Sequence, residues 1–198
     1  MNINELFGVS GKVAIVTGGS RGIGEMITSG FLANGVKVYI TARKEGPLIE
    51  KAEELSKKYN EDCIPIACDL SSTVGTSFFV EKILKYEKGI DFLINNAGAA
   101  WGEPYKSFSE SGWDKVMDLN VKSLFFLTQK LTDLLKTNAT KEDPSRVINI
   151  GSIDGLNVPA FETYSYSTSK AAVHQLTRVL ANKLAERNIN INAIAPGP

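Results

Sequence analysis

Residues that commonly build metal and redox sites are scarce in this sequence. Its 198 residues include two cysteines, Cys63 and Cys68, and one histidine, His174. The cysteines do not form a Cys-x-x-Cys pair, and a single imidazole cannot complete a metal ligand set. We interpret both thiols as buried groups on or beside a strand, which is the ordinary role of free cysteine. The sequence therefore predicts no metal site.

Neither sign of charge is in excess, and no long apolar run is present. Lys plus Arg and Asp plus Glu each number 22. Balanced charge gives no electrostatic reason to expect a nucleic acid or an anionic membrane as a partner. No apolar run approaches the roughly 18 residues of a spanning helix. Residues 1–12 show no basic segment followed by an apolar run, as a signal peptide would. We expect a cytoplasmic protein.

Apolar runs of strand length alternate with longer helical patterns along the chain. Hydrophobic residues make up 43% of the sequence, and 198 residues suit one domain of ordinary size. The strand-like runs occupy residues 12–18, 36–41, 63–68, 91–96, 146–151 and 190–195. The helical patterns lie near residues 23–34, 47–59, 73–88, 112–136 and 164–187. Such alternation implies right-handed crossovers. It predicts a single α/β domain over residues 1–198, a Rossmann-like, doubly wound parallel sheet with helices on both faces.

A glycine-rich segment, TGGSRGIG at 17–24, follows the first predicted strand and opens the first predicted helix. Gly18, Gly22 and Gly24 are spaced G-x-x-x-G-x-G, a variant of the dinucleotide fingerprint G-x-G-x-x-G. Glycines let the backbone turn tightly and approach a diphosphate, and the helix N-terminus offers unpaired N–H groups. A plain strand-to-helix turn needs one or two glycines, whereas this segment has four. We therefore predict a dinucleotide cofactor.

Basic residues stand where an acid would select the unphosphorylated cofactor. In such folds an acid about 20 residues beyond the glycines binds the adenosine ribose, but here Arg43 and Lys44 follow the second predicted strand. Arg21 lies within the glycine segment. These cations suit a 2′-phosphate and offer no acceptor for a 2′-hydroxyl. The sequence predicts NADP(H) rather than NAD(H). Solvated surface cations are the alternative, and the nearby Glu45 leaves NAD(H) open.

Tyr166 and Lys170 stand four residues apart at the start of a strong helical pattern. Residues at i and i+4 share one face of a helix, whereas Tyr164 points elsewhere. An ammonium near a phenol favours the phenolate, and a tyrosine tuned in this way can give a proton to a carbonyl oxygen. An isolated Tyr–Lys pair on an exposed helix face is common. The pair therefore gains meaning only from the motifs around it.

Seven short motifs, in this order and spacing, resemble the short-chain dehydrogenase/reductase family over nearly the whole sequence. They are TGGSRGIG at 17–24, CDL at 68–70, NNAG at 95–98, LNV at 119–121, IGSI at 150–153, YSTSK at 166–170 and PG at 196–197. The resemblance implies an NADP-dependent oxidoreductase acting on CH–OH groups, most similar to 3-oxoacyl reductases of the rhamnolipid-pathway type. Members usually continue past the Pro-Gly into a lid and a last strand, and we expect this domain to lack both.

The resemblance implies catalytic roles for residues in two predicted helices and after one strand. Tyr166 would be the acid/base, and Lys170 would tune it and bind the nicotinamide ribose. Ser152 would orient the substrate carbonyl and stabilise charge there. Asn120 would hold a water in a proton relay to Lys170. His174, one turn beyond Lys170, is interpreted as structural or interfacial.

The cofactor contacts implied by the same resemblance lie in loops that follow the strands and in the catalytic helix. Asp69 and Leu70 would flank the adenine, and Ile23 would contact the diphosphate and nicotinamide side. The full set is Gly18, Ser20, Arg21, Gly22, Ile23, Gly24, Arg43, Asp69, Leu70, Asn96, Ala97, Gly98, Tyr166, Lys170, Pro196 and Gly197.

The expected reaction is hydride transfer between NADPH and a small-molecule carbonyl or alcohol, and the favoured substrate is a 3-oxoacyl thioester or a related ketone. A sugar, polyol or gluconate-type dehydrogenase is the alternative among enzymes, and a non-catalytic NADP-binding protein is the alternative outside them. Trp101, Phe161 and Tyr164 are candidates for an apolar substrate wall, and ordinary core or loop packing is the alternative for each of them. Family members pair their long helices, so a homodimer or homotetramer through the helices near 112–136 and 164–187 is expected.

Overall fold

Six parallel strands form one sheet in the computed structural model, which describes residues 7–197. The strands are β1 (Val13–Thr17), β2 (Lys37–Ala42), β3 (Cys63–Ala67), β4 (Phe92–Asn95), β5 (Ser145–Ile150) and β6 (Ile189–Ile194). Their order is β3-β2-β1-β4-β5-β6, and every neighbouring pair is parallel. The direction of winding reverses between β1 and β4, which opens a crevice at the carboxyl ends of these strands. The predicted doubly wound parallel sheet is confirmed.

Helices separate consecutive strands along the chain. They are α1 (Gly22–Leu32), α2 (Glu45–Tyr59), α3 (Thr73–Tyr86), α4 (Glu110–Met117), α5 (Ser123–Asn138) and α6 (Tyr164–Leu184). No helix within residues 7–197 is both long enough and apolar enough to cross a membrane.

An apolar core lies on each face of the sheet. On one face, Val16 of β1 packs in a cluster with Leu48 of α2. On the other face, Ile15 packs in a cluster with Phe79 of α3 and Leu131 of α5. Successive side chains of a strand point to opposite faces, so the apolar residues of β1 are covered from both sides.

The predicted continuous helix over residues 112–136 is wrong in one respect. The structure has α4, then a π-helical turn at Asp118–Lys122, then α5, which extends to Asn138. The backbone N–H of Ser123 bonds to the carbonyl of Asp118, five residues earlier. A π turn accommodates one extra residue without ending the helix, and such turns are frequent at functional sites. Asn120 lies within this turn.

Candidate active site

Two adjoining clefts lie at the carboxyl ends of the strands. The larger, of about 600 Å³, runs beside the glycine segment and the ends of β2 and β3. The smaller, of about 300 Å³, lies between the loops after β4 and β5 and the start of α6. Ile23, Asn96 and Gly98 line both clefts. Together the clefts occupy the crevice at the winding reversal, where this kind of sheet binds ligands.

The glycine segment is shaped by close backbone approaches. Gly18 has a φ of +65°, and a Cβ there would lie 3.2 Å from the Cα of Ala97. A Cβ on Gly24 would collide with the carbonyl oxygen of Gly18. Helix α1 begins at Gly22, and the preceding residue, Arg21, makes no side-chain cap. The first N–H groups of α1 are therefore open to an anion, which fits the diphosphate of a dinucleotide.

Thr17 fastens the loop after β4 to the end of β1, a role that the sequence reasoning missed. Its Oγ1 accepts hydrogen bonds from the backbone N–H groups of Asn96 and Ala97, each at 2.9 Å. The same hydroxyl donates to the carbonyl of Ile94 at 3.2 Å. The Nδ2 of Asn96 donates to the carbonyl of Thr17 at 2.8 Å. No signal in the sequence distinguishes this threonine from any other residue that ends a buried strand.

Three cations, Arg21, Arg43 and Lys44, line the larger cleft. Within residues 7–197 no acidic side chain forms an ion pair with any of them. Glu45, which left the unphosphorylated cofactor open, is not among the residues that line this cleft. An unpaired group of cations fits a 2′-phosphate, since arginine binds phosphate through paired N–H donors.

Most of the predicted cofactor contacts meet in the larger cleft. They are Gly18, Ser20, Arg21, Ile23, Gly24, Arg43, Asp69, Leu70, Asn96, Ala97 and Gly98. Gly22 and Gly197 line neither cleft, and Pro196 lines the smaller one. Residues that the prediction did not include are Thr41, Ala42, Pro47, Leu48, Cys68 and Leu119. They belong to strand ends and helix starts whose local sequence resembles ordinary core.

The smaller cleft brings Ser152, Tyr166 and Lys170 together. Lys170 lies one helical turn after Tyr166 on α6, and its Nζ is 5.6 Å from the centroid of the Tyr166 ring. Only 6% of Lys170 is exposed, and Nζ donates to the carbonyl of Ile150 at 2.7 Å. Burial lowers the pKa of Lys170 to about 8, because the charged amine is desolvated.

Ser152 is held with its hydroxyl at the edge of this cleft. Its Oγ accepts a hydrogen bond from the backbone N–H of Asp154 at 3.1 Å, which begins a short 3₁₀ turn at Ile153–Gly155. This contact uses an oxygen lone pair and leaves the hydroxyl proton free for donation. Ser152 can therefore donate to a carbonyl oxygen placed in the cleft.

Asn120 lies behind the smaller cleft and does not line it. Its Oδ1 accepts from the N–H of Ala99 at 2.8 Å. Its Nδ2 donates to the carbonyl of Ala99 at 2.9 Å and to the hydroxyl of Ser169 at 2.9 Å. Both amide protons of the side chain are thus used. The predicted water contact of Asn120 remains a prediction, and the amide protons are not available for it in this arrangement.

The aromatic candidates for a substrate wall are not among the residues that line the smaller cleft. Trp101, Phe161 and Tyr164 do not line it. Phe161 is 80% exposed. The hydroxyl of Tyr164 donates to Glu162 at 3.0 Å, and its ring packs edge-on against Phe108. Of the two tyrosines, Tyr166 lines the smaller cleft and Tyr164 does not, and a contact of the three aromatic residues with substrate remains a prediction.

His174 is buried one turn beyond Lys170. It is 8% exposed, and neither ring nitrogen has a hydrogen-bond partner within the described residues. A Cβ on Gly151 would collide with its Nε2, so the imidazole packs directly on the strand end that precedes Ser152. Desolvation, followed by the charges of Arg178 and Lys170, lowers the pKa of His174. These contacts are those of a packing residue.

Comparison with known proteins finds relatives along almost the whole chain. The family model described as short chain dehydrogenase matches residues 12–198. Over 191 residues the chain is 46% identical to a rhamnolipids biosynthesis 3-oxoacyl-(acyl-carrier-protein) reductase of Pseudomonas aeruginosa. That alignment covers 96% of this chain and 74% of the relative.

A second relative and a solved structure extend this likeness. The chain is 37% identical over 198 residues to a 2-dehydro-3-deoxy-D-gluconate 5-dehydrogenase of Dickeya dadantii, covering 96% of this chain and 73% of that protein. The Pseudomonas aeruginosa RhlG/NADP active-site complex superposes with a TM-score of 0.93 at 46% identity. The superposition covers 96% of this chain and 74% of that one.

Proposed function

This chain belongs to the short-chain dehydrogenase family, and from that premise we propose that it is an NADPH-dependent reductase of a 3-oxoacyl thioester or a related ketone. One observation carries the proposal. Ser152, Tyr166 and Lys170 line a single cleft that adjoins the larger cleft beside the glycine segment. A hydroxyl that can donate to a carbonyl oxygen, a phenol that can give a proton and an amine therefore line a cleft next to the one that we assign to the dinucleotide.

The chain supplies the proton and the orientation for the reaction. When bound, the nicotinamide supplies the hydride, which is the cofactor's own chemistry. Ser152 donates a hydrogen bond to the substrate carbonyl oxygen, where negative charge develops. Tyr166 gives its proton to the same oxygen, so that hydride and proton together convert the C=O group into CH–OH. Lys170 places a positive charge beside the Tyr166 ring and favours the phenolate that remains.

The phosphorylated cofactor is proposed on the basis of charge. Arg21, Arg43 and Lys44 line the cleft where the adenosine end would lie, and the similar Pseudomonas aeruginosa structure is a complex with NADP. A ribose 2′-hydroxyl would require an acceptor among these residues, and none of the three can provide one. We therefore place the 2′-phosphate at this group of cations.

A second candidate substrate class rests on the other relative. The 2-dehydro-3-deoxy-D-gluconate 5-dehydrogenase of Dickeya dadantii is 37% identical and matches an equal share of this chain. A ketone on a polar sugar acid would use the same three side chains. Parallel assays with a 3-oxoacyl thioester and with a keto sugar acid decide between the classes by the ratio of kcat/KM values.

The proposal also includes self-association through α4, α5 and α6. These helices carry exposed apolar side chains, among them Trp113, Phe126 and Val179. Such residues on adjacent helices suit a contact between two copies of the chain.

Tyr166→Phe tests the chemistry directly. We expect turnover, measured as ketone-dependent NADPH oxidation, to fall by about 100-fold or more, because a general acid typically contributes 10²–10⁴. NADPH binding, followed by fluorescence titration, should be largely retained, because phenylalanine keeps the ring of this predicted cofactor contact and the predicted phosphate contacts lie elsewhere.

Tyr164→Phe is the matched control. It removes a phenolic hydroxyl from the same helix turn, but that hydroxyl is bonded to Glu162 and does not line the cleft. We expect its turnover to equal that of the wild type. Equal turnover in the Tyr166→Phe variant would remove Tyr166 from the mechanism.

A further inference from the structure

Ser169 lies inside the helical turn that carries both proposed catalytic side chains of α6. It immediately precedes Lys170 and is fully buried, with 0% of its surface exposed. Its hydroxyl donates to the backbone carbonyl of Tyr166 at 2.7 Å. The turn from Tyr166 to Lys170 is therefore closed by a side-chain hydrogen bond as well as by the helical backbone.

The same hydroxyl receives a hydrogen bond from outside the helix. The Nδ2 of Asn120, in the π-helical turn between α4 and α5, donates to Ser169 Oγ at 2.9 Å. A serine or threonine in a helix commonly bonds only to a carbonyl of its own helix, as Thr132 does with Thr128. Ser169 instead connects its helix to a neighbouring element through one oxygen.

The connection continues from Asn120 to another residue that lines the smaller cleft. Asn120 holds Ala99 through both the N–H and the carbonyl of that residue, and Ala99 lines the cleft. A continuous chain of hydrogen bonds therefore runs from the Tyr166 carbonyl, through Ser169 and Asn120, to the loop after β4. Tyr166 and Ala99, the residues at its two ends, both line the smaller cleft.

We propose that Ser169 is a positioning residue, which sets the separation between the Tyr166–Lys170 turn and the Ala99 wall through its bond with Asn120. This inference rests on the proposed reductase function. Catalysis requires the reacting groups to be held within roughly 0.5 Å of the productive geometry. Without the Ser169 oxygen, a buried amide proton of Asn120 has no partner, and either Asn120 or the start of α6 shifts to recover one.

Ser169→Ala tests this proposal, with Ser165→Ala as the matched control. Both serines are 0% exposed and lie on α6, but the hydroxyl of Ser165 has no hydrogen-bond partner among the described residues. We expect Ser169→Ala to lower kcat by roughly tenfold with the NADPH dissociation constant unchanged within about twofold. Ser165→Ala should leave both quantities at wild-type values.

Two results would overturn the proposal while leaving the reductase function intact. One is an unchanged kcat in Ser169→Ala, in an enzyme whose turnover is abolished by Tyr166→Phe. The other is an equal loss of kcat in Ser165→Ala and Ser169→Ala, which would indicate a general sensitivity of the helix to the loss of a hydroxyl. If the wild type reduces no ketone at all, the proposed function is wrong. Hydrogen–deuterium exchange then still tests whether Ser169 holds Asn120 and Ala99 in place.

Hydrogen–deuterium exchange tests the connection without turnover. The amide N–H of Ala99 is protected by Asn120 Oδ1. In Ser169→Ala we expect peptides that contain Ala99 to exchange faster than in the wild type and in Ser165→Ala. Identical exchange in all three proteins would show that Ser169 does not hold Asn120 in place.

A double variant tests the path. Asn120→Ala removes the partner of Ser169, so adding Ser169→Ala to it should change kcat by less than about twofold. An additional loss of roughly tenfold in that background would show that Ser169 acts by a route other than Asn120. If the turnover of Asn120→Ala is too slow to assay, hydrogen–deuterium exchange at Ala99 tests whether Ser169 acts through Asn120.

Discussion

At the scale of single residues, the amine of Lys170 is a buried cation without a counter-charge among the described residues. It is 6% exposed and bonded to a neutral carbonyl, and no ion pair within residues 7–197 includes it. A buried charge without a counter-charge destabilises the folded state, because the unfolded chain hydrates it fully. The buried amine of Lys170 therefore lowers the free energy of unfolding, and the proposed chemistry requires its positive charge.

The pH dependence of stability should reveal this cost. The folded pKa of Lys170 is about 8, below its ordinary value of 10.5. Between these pH values the unfolded state binds more protons, so the contribution of Lys170 to the free energy of unfolding rises with pH and is least favourable below pH 8. Lys170→Met lacks this titration. We expect the variant to be more stable than the wild type at pH 7, by up to about 3 kcal/mol.

Urea unfolding of both proteins, without cofactor, checks the prediction. The advantage of Lys170→Met should shrink as the pH is raised from 8 to 10.5, because the wild-type lysine then loses its charge in the folded state. A difference that stays constant over this range would contradict a depressed lysine pKa.

Arg43 offers a residue-scale test of cofactor choice. We expect Arg43→Ala to weaken NADPH binding by roughly 10- to 100-fold, since a charged hydrogen bond to phosphate contributes about 1.5–3 kcal/mol. NADH binding should be unaffected, because NADH has no 2′-phosphate. Arg178→Ala is the control, since Arg178 bonds to Gln175 at 3.1 Å and does not line either cleft. An equal weakening of NADPH and NADH binding would show that Arg43 does not contact the 2′-phosphate.

The residue types of the site were predictable from sequence because their spacing is unusual. Four glycines after a strand suggest a cofactor by themselves, and a Tyr–Lys pair at helical spacing suggests chemistry once the motifs around it are considered. Thr17 and Ser169 were not predictable in this way. A single hydroxyl at the end of a strand or inside a helix has many ordinary explanations, and its partner is known only when the chain is folded.

At the scale of secondary structure, a buried polar ladder joins two strands to two helices. Asn95 of β4 and Asn149 of β5 are register partners, and Asn95 Nδ2 donates to Asn149 Oδ1 at 2.8 Å. Asn95 Nδ2 also donates to Thr128 of α5 at 3.1 Å, and Asn149 Nδ2 donates to Thr177 of α6 at 2.9 Å. The ladder therefore fixes how α5 and α6 are seated on the sheet.

Breaking this ladder should be costly. We expect Asn149→Leu to lower the free energy of unfolding by about 2–4 kcal/mol, because Asn95 and Thr177 each lose a partner in a dry interior. Thr132→Val is the control, since the Thr132 hydroxyl bonds only within its own helix. Urea denaturation should show a loss for Thr132→Val below about 1 kcal/mol. Similar losses in both variants would mean that the ladder contributes no more than any buried hydroxyl.

The elements themselves were largely predictable, and the exception has a physical cause. Strands buried on both faces appear as apolar runs, and their alternation with helical patterns predicts that the strands are parallel. The π turn at Asp118–Lys122 was not predictable. One extra residue shifts the helical face by about 100°, and the apolar residues on either side still suit a single continuous helix.

At the scale of the whole molecule, the proposed self-association can be measured directly. Phe126 and Val179 are 40% and 47% exposed on α5 and α6. We expect light scattering after size exclusion to give a mass of two or four times 21.5 kDa. Phe126→Glu should shift the protein toward the monomer, because a desolvated charge at a contact costs several kcal/mol.

Val74→Glu provides the control for that measurement. Val74 is 81% exposed on α3, outside the proposed contact. Its replacement should leave the mass unchanged. A wild-type mass of 21.5 kDa at micromolar concentration would contradict the proposed assembly.

The position of β1 at the centre of an all-parallel sheet has a consequence for how the protein is made. Ile15 pairs on one side with Tyr39 but on the other with Leu93, so one flank of β1 has no neighbour until β4 has been synthesised. At about 5–20 residues per second, the ribosome needs roughly 4–16 s to extend the chain from β1 to the end of β4. Once β1 has paired with β2, the other edge of β1 stays unpaired until β4 is available, and this stretch of synthesis is where a chaperone would be of most use.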